Sequence, residues 1–564
     1  MILLDPKHHS RSYHDARSKE VMVDTIAFFE NKGKQKLLDD YYARVWYSDF
    51  LGFVKEKKIF ATMCTPAGYG APDARWDTWR ICEFAEILGF YGLQYWYTWQ
   101  VSVLGLGPIW MSTNEPLKRR AAAMLEAGGI FAFGLSEKEH GADIYSTDMN
   151  LTPAANGRYV ANGRKYYIGN ANQAALVSTF GKLDTGDYVF FAADSQHKAF
   201  ECIRNVVSSQ NYVAEYALHD YPVGEDDILE KGQEAWNAAL NTVNIGKYNL
   251  GWASIGICTH AFYEAIDHAA HRRLYGMHVT DFPHVKQMFV DAYARLVAMK
   301  LFALRAADYM RSASAEDRRY LLYNPMVKMK VTTQGEAVID LLWDVIAAKG
   351  FEKSTYFGQA AIDIRALPKL EGTVHVNIAL IVKFMPSYFF FPAELPDVPR
   401  RDQAVHDDFL FHQGPAKGLS KIRFHDYTRA FVGFEQPNVR LFAEQASLFK
   451  AMLAAAPPSE SQLKDVDFLL AGGELFALVV YAQLILENAR LYAIEGELVD
   501  QIFDFMVRDF SRLALNLYSK PSSTTEQMEH CTKMIRKPIL DDARYRKVWT
   551  EHVDALKGVY RMNP

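Results

Sequence analysis

Four segments of this chain hold side chains that could do chemistry. In Leu367-Pro368-Lys369-Leu370-Glu371-Gly372-Thr373-Val374-His375 a single carboxylate stands between an apolar residue and a glycine. Shielded from water, such a group holds its proton more tightly and becomes a usable base. A solvated glutamate at a turn is the plainer reading of the same residues. In Phe133-Gly134-Leu135-Ser136-Glu137-Lys138-Glu139-His140-Gly141-Ala142-Asp143 a hydroxyl and backbone N–H groups beside two glycines could cradle an anion or hydrogen-bond a flat heterocycle. An ordinary loop would carry the same composition. Asn162-Gly163-Arg164-Lys165-Tyr166-Tyr167-Ile168-Gly169-Asn170 joins a tight-turn pair to an aromatic run. That is either a surface for a cofactor ring or a hairpin that buries its tyrosines. Arg272-Arg273-Leu274-Tyr275-Gly276, followed by Asp281-Phe282-Pro283, offers two guanidinium groups. They suit a phosphate and equally the carbonyl end of a helix.

The elements that must hold these segments come in an unusual order. Residues 1–130 read as helix, with apolar residues at three- and four-residue spacings from Thr25 to Tyr42 and from Arg80 to Tyr95. Thr65-Pro66-Ala67-Gly68-Tyr69-Gly70 is a turn-rich break between them. Residues 131–235 read as a small antiparallel β domain. Asn156-Gly157 and Asn162-Gly163 are hairpin-type pairs, and Tyr159-Val160, Tyr166-Tyr167-Ile168 and Tyr188 to Ala193 are strand candidates. Residues 236–390 return to helix, over Trp236 to Arg272, which runs without proline as one long helix or two stacked ones, and over Val285 to Ser312 and Pro325 to Lys349, the last closed by Gly350. Pro392 to Pro399 reads as a linker, and 400–564 as a further helical domain interrupted near Pro457-Pro458. The fold class is α+β, mainly α, with the β block between helical domains; an α/β sheet protein would alternate the two.

Composition narrows the function. The chain has 564 residues, 49% hydrophobic and 23% charged, which calls for several packed domains of ordinary globular character. A net charge of −5 argues against nonspecific nucleic-acid binding. Five cysteines without a CxxC pair give neither a disulfide framework nor a cysteine-rich metal site, and no metal is expected. The N-terminal residues lack the apolar core of a secretory signal. Leu475 to Leu486, the longest apolar run, is short for a membrane span and reads as a buried helix. The expected location is the cytosol or an organelle matrix.

Order and spacing together say more than any one segment. Over residues 20–390 the chain resembles the acyl-CoA dehydrogenases, a family built from a helical domain, a β domain and a helical bundle in that order. Phe133 to Asp143 is similar to the family's flavin loop, Asn162 to Asn170 to its N-G-x-K-x-W-I-T-N segment, and Arg272 to Gly276 to R-x-x-F-G. Glu371-Gly372-Thr373 resembles the E-G-T that carries the base in most members.

The resemblance implies FAD as cofactor and an acyl-CoA as substrate. By it, Leu135 and Ser136 meet the flavin ring, Gly141, Ala142 and Gly169 lie in the cofactor contacts, and Tyr167 replaces the usual tryptophan beside the ring. Arg272 and Tyr275 reach the FAD of a neighbouring subunit, which implies a homodimer or homotetramer, and Thr373 lies near the pyrophosphate. Ala142, Lys247, Glu371 and Gly372 belong to the substrate side. Glu371 removes the α-proton, the β-hydrogen leaves as hydride to flavin N5, and a trans-2-enoyl-CoA results. An electron-transfer flavoprotein reoxidises the flavin.

The chain departs from the family in places. Ser136 stands for threonine, Gly169 for threonine, Ala142 for serine, Lys138-Glu139-His140 for P-x-A, and Asp344 to Ala348 for Q-x-x-G-G. Residues 400–564 exceed the standard length, as in long members with an extra helical domain, where it could cover the dimer face, touch membrane or shape the substrate channel; its aromatic runs read as core before membrane anchor. Tyr95, Trp96, Tyr97 and Trp99 read as core first and as acyl-pocket lining second. Two other functions stay open. A dehydrogenase of a carrier-protein-bound thioester would share Glu371 but need a basic docking surface. A non-dehydrogenase flavoprotein of the same fold that bound nucleic acid would show a basic C-terminal domain, whereas 400–564 mixes signs, with Asp465, Asp467, Asp500, Asp504, Asp541 and Asp542.

Overall fold

The computed structural model describes residues 3–9, 11–415 and 417–564. It is α+β and mainly α, and divides into two compact units. One contains Ser10–Asn249, with Asp402–Lys417 and Met562–Pro564; the other contains Met1–His9, Leu250–Arg401 and Gly418–Arg561.

The first unit begins with helices whose breaks fall at glycines. The apolar spacing from Thr25 to Tyr42 predicts one helix, but the chain forms Ala16–Lys32 and Lys34–Ala43. Gly33 separates them at φ 77°, and a Cβ there would stand 2.1 Å from the Pro564 carbonyl oxygen. Only glycine fits this position. Gly92 likewise divides Thr78–Tyr91 from Leu93–Met111. Tyr95, Trp96, Tyr97 and Trp99 of the second of these helices are buried core residues. Gly105 lets this helix touch the sheet, since a Cβ there would lie 2.6 Å from the Ala132 carbonyl oxygen.

The sheet contains β1 (Phe131–Gly134), β2 (Asn150–Pro153), β3 (Tyr159–Gly169), β4 (Leu176–Leu183), β5 (Tyr188–Ala193), β6 (Phe200–Asn205), β7 (Val213–Val223) and β8 (Ile228–Lys231). Their order is β6-β7-β3-β2-β4-β5-β8, with β1 also paired to β4. The sheet is mixed rather than wholly antiparallel, because β1 and β2 both run parallel to β4. The register explains this. β1 pairs with Leu176 to Thr179 and β2 with Lys182 and Leu183, so the two occupy successive stretches of one β4 edge. They act as a single strand from which residues 135–149 are extruded as a loop.

Asn156-Gly157 forms the expected tight turn between β2 and β3, with φ of 62° and 70°. Asn162-Gly163 does not form a turn. It lies inside β3, where Gly163, at φ 145°, takes up a register shift against β7. A side chain there would strike Met149, since a Cβ at Gly163 would stand 2.9 Å from the Met149 Cα. An Asn-Gly pair reports a tolerance for unusual φ, which a bulge uses as readily as a hairpin.

In the second unit, the helix Pro283–Arg311 packs against Thr332–Ile346 and against Val466–Leu491. Ion pairs Arg295–Asp509, Arg508–Asp291 and Arg305–Glu487 tie the C-terminal helices to it. Trp236 to Arg272 falls in one continuous helix, Gly232–His271, which ends one residue before Arg272. Pro325 to Lys349 is not one helix. Tyr320–Met326 passes through a π turn, Val327–Val331, into Thr332–Ile346, and Gly350 lies under the Trp343 ring instead of closing the helix. Pro325 has no N–H to give, and its ring crowds the preceding turn. Helix also fails to resume at 400. Among the described residues, only short 3-10 turns occur before Pro437–Ala455, with Gly414, Gly418 and Gly433 all at positive φ. Val466–Leu491 is long and apolar enough to cross a membrane by length and composition, yet it is largely buried within the protein.

Candidate active site

The extruded loop is pinned to β3 by a buried ion pair. The Lys165 ammonium donates to Glu137 Oε1 at 2.6 Å, to the Leu135 carbonyl at 3.0 Å and to Thr147 Oγ1 at 3.2 Å. Glu137 also accepts from Thr147 Oγ1 at 2.5 Å and from the Asp148 amide at 2.8 Å. Burial pushes the Glu137 pKa up, but Lys165 and these donors outweigh it and hold the carboxyl below its usual range. Burial pulls Lys165 down to about 8, against the attraction of Glu137. Ser136 is stitched to the same strand: its carbonyl accepts from the Tyr166 amide at 3.0 Å, and its hydroxyl donates to the Tyr166 carbonyl at 2.9 Å. The hydroxyl proton is therefore spent, leaving an oxygen that can only accept.

Tyr167 sits at the second register shift of β3, between Tyr166 and Ile168, at φ 69°. A bulge re-aims a side chain, and a positive φ is unfavourable for an aromatic residue. The strained step leaves the ring 43% exposed. Gly169 is buried. A Cβ there would meet Tyr97 Cε1 at 2.6 Å and Val101 Cγ1 at 2.9 Å, so aromatic packing occupies the space of the family's threonine. Gly141 and Ala142 are exposed in the loop, and Lys247 is buried in the helix Gly232–His271. Asn170 closes the segment; its amide donates to the carbonyls of Thr98 and Phe131, each at 3.0 Å.

In the helical unit, Glu371 at φ 51° and Gly372 at φ 85° form a left-handed step between Phe357–Ala366 and Val374–Ile381. The residue is half-buried, and its carboxylate oxygen Oε2 is fully buried. Thr373 caps the second helix, its hydroxyl accepting from the Val376 amide at 3.4 Å. Lys328, buried in the π turn, donates to the carbonyls of Pro368, at 2.6 Å, and Gly372. Asn377 Nδ2 donates to the carbonyls of Gly372 at 3.2 Å and Thr373 at 2.9 Å. A glutamate whose turn is held left-handed by this many donors is a preorganised carboxylate.

Arg272 follows the last turn of the long helix, its amide donating to the His268 carbonyl at 3.0 Å. Arg273–Leu274 and Met277–His278 then pair as a hairpin whose tip is Tyr275-Gly276, both at positive φ. Tyr275 is 94% exposed at that tip. Arg272 is exposed as well, at the base of the same hairpin.

Each unit by itself offers groups of a kind that a flavin dinucleotide calls for. Tyr167 offers an exposed aromatic face and the loop offers acceptors; Arg272 and the capped helix at Thr373 offer anion-binding ends. The structure joins Leu135, Ser136 and Tyr167 in one patch and Glu371, Gly372 and Thr373 in another; it leaves Gly169 beneath Tyr97. Two features escape a reading of the sequence alone. Glu137 and Lys165 stand in separate motifs, and nothing in either motif marks them as a pair. Lys328 lies outside every motif; its one signal is a lysine inside the apolar run Met326-Val327-Lys328-Met329.

Residues 234–385 match the family described as "Acyl-CoA dehydrogenase, C-terminal domain". The chain is 24% identical over 305 residues to the Caffeyl-CoA reductase-Etf complex subunit CarC of Acetobacterium woodii, covering 50% of this chain and 79% of that one. An acyl-CoA dehydrogenase of Bacillus subtilis is 25% identical over 293 residues, covering 50% of this chain and 75% of the relative. An acyl-CoA dehydrogenase of Bacillus anthracis, solved in complex with FAD, superimposes with a TM-score of 0.76 over 98% of this chain and 97% of that one, at 17% identity. This last likeness is one of fold, and it extends through the C-terminal helices.

Proposed function

We propose that the chain is a member of the acyl-CoA dehydrogenase family, in a form with an additional C-terminal helical domain, and that it is an FAD-dependent oxidoreductase that desaturates an acyl-CoA thioester between its α and β carbons. The observation that carries this reading is the Glu371 turn: a half-buried glutamate in a left-handed step fixed by Lys328 and Asn377. Bound FAD supplies a two-electron acceptor for the β-hydrogen, as hydride. Glu371 takes the α-proton onto its carboxylate as the Cα–H bond breaks and the C=C bond forms. The Glu371 amide polarises the thioester carbonyl and stabilises the negative charge that develops on its oxygen. Leu135, Ser136 and Tyr167 position the flavin ring, with the Glu137–Lys165 pair holding their loop in place. Arg272 and Tyr275, exposed on their hairpin, reach the cofactor of a second subunit. Reoxidation by an electron-transfer flavoprotein is supported by the relative that forms part of a reductase–Etf complex.

Anaerobic titration of the yellow protein with acyl-CoAs of graded chain length tests this reading. Bleaching of the flavin band by at least one of them is expected. A flavin that no acyl-CoA bleaches, while dithionite does, refutes it.

A further inference from the structure

We infer that Lys328 is a positioning residue for the base: its buried ammonium clamps the two ends of the Glu371 turn and so sets where that glutamate stands. This rests on the assignment of Glu371 as the base. The two carbonyls that Lys328 meets, those of Pro368 and Gly372, bracket Glu371 on either side. A single point donor can satisfy two carbonyls four residues apart, and this pulls the intervening chain into a tight arc. The left-handed Glu371-Gly372 step is the conformation of that arc. Asn377 holds the Gly372 and Thr373 carbonyls from the other side, so the turn is gripped from two separate elements.

The placement of Lys328 is itself specified. It lies in the π turn Val327–Val331, which follows a proline inside the helix. A π turn inserts one residue and re-aims the side chains around it. The ammonium is buried, where its field is weakly screened, and it is bonded to the carbonyl of the residue after the base. Lys369 pairs with Glu336 of the helix Thr332–Ile346, and His375 is exposed. Lys328 differs from them in being buried and bonded to the turn's own backbone.

Lys328→Met removes both donors and the charge at similar length. In the ligand-free protein, amide hydrogen exchange over 368–373 should quicken at least about tenfold, with the surrounding helices unchanged. In flavin reduction by a saturating acyl-CoA, the rate should fall by about 10- to 100-fold while thioester affinity holds within about threefold. Lys328→Arg keeps the charge but, as a planar fork, does not reproduce the clamp. It should recover only part of the rate. Unchanged exchange in Lys328→Met overturns the clamp, and an unchanged reduction rate overturns the positioning role. If Lys328→Met does not fold, Lys328→Arg decides by its exchange: no increase over 368–373 refutes the clamp. If no acyl-CoA reduces the wild-type flavin, the proposed function fails, and the exchange arm still decides whether Lys328 fixes the turn.

Discussion

Replacing Lys165 with methionine should unfasten the loop that follows β1. The ammonium is fully buried and bonded to Glu137, Leu135 and Thr147, while Glu137 has almost no exposure of its own. The variant leaves that carboxylate buried without its cation, a change that costs about 3–5 kcal/mol. The effect is local, because the pair joins residues 135–149 to β3 and not to the rest of the core. Hydrogen exchange at the Asp148 and Met149 amides, both of which donate to Glu137, reads it directly. Exchange there should quicken by about two to four orders of magnitude, with the strand amides of β7 protected as before. A double variant, Lys165→Met with Glu137→Leu, removes the stranded charge and should recover at least half of the loss. An effect under about 1 kcal/mol for the single variant, or a double variant that costs the sum of two singles, would refute this role of the pair.

Restoring the family's threonine at 169 should be harmful here. Gly169→Thr places a Cβ against Tyr97 and Val101 and should lower stability by about 1–3 kcal/mol in thermal unfolding; a neutral result contradicts the packing described. Asp509 makes stability depend on acid. Burial would raise its pKa, but Arg295 outweighs this and holds it at about 2, below its unfolded value of about 4. Its contribution, about 2 kcal/mol, is therefore present above about pH 4 and lost as pH falls towards 2. Chemical denaturation of wild type and Asp509→Asn should differ by that amount at pH 6 and converge at low pH.

The parts of the molecule legible in the sequence are those whose signal is periodic or punctuated. The strand Tyr188 to Ala193 follows from its apolar run, and the lack of proline over Trp236 to Arg272 leaves one long helix or two stacked ones, of which the chain forms one. The helix breaks at Gly33 and Gly92 are hidden, because the apolar pattern runs through both. Asn162-Gly163 misleads because its tolerance for unusual backbone angles serves a bulge as well as a turn. The mixed sheet cannot be read from strand candidates, since it depends on β1 and β2 sharing the β4 edge across an extruded loop. In the site, Glu371 is visible as one letter of a motif. Its left-handed geometry is not, and the lysine that enforces it lies 40 residues from Pro368 in the chain, in a pairing that only the fold makes.

If Glu371 removes the α-proton, an amide in its place cannot. Stopped-flow reduction of the bound flavin by an acyl-CoA that bleaches the wild type, compared with Glu371→Gln, tests this most directly. The substitution keeps the shape of the side chain and removes its capacity to accept a proton. The flavin of the variant should remain bound and its reduction should slow by at least about 10³-fold. Reduction at the wild-type rate would contradict the assignment.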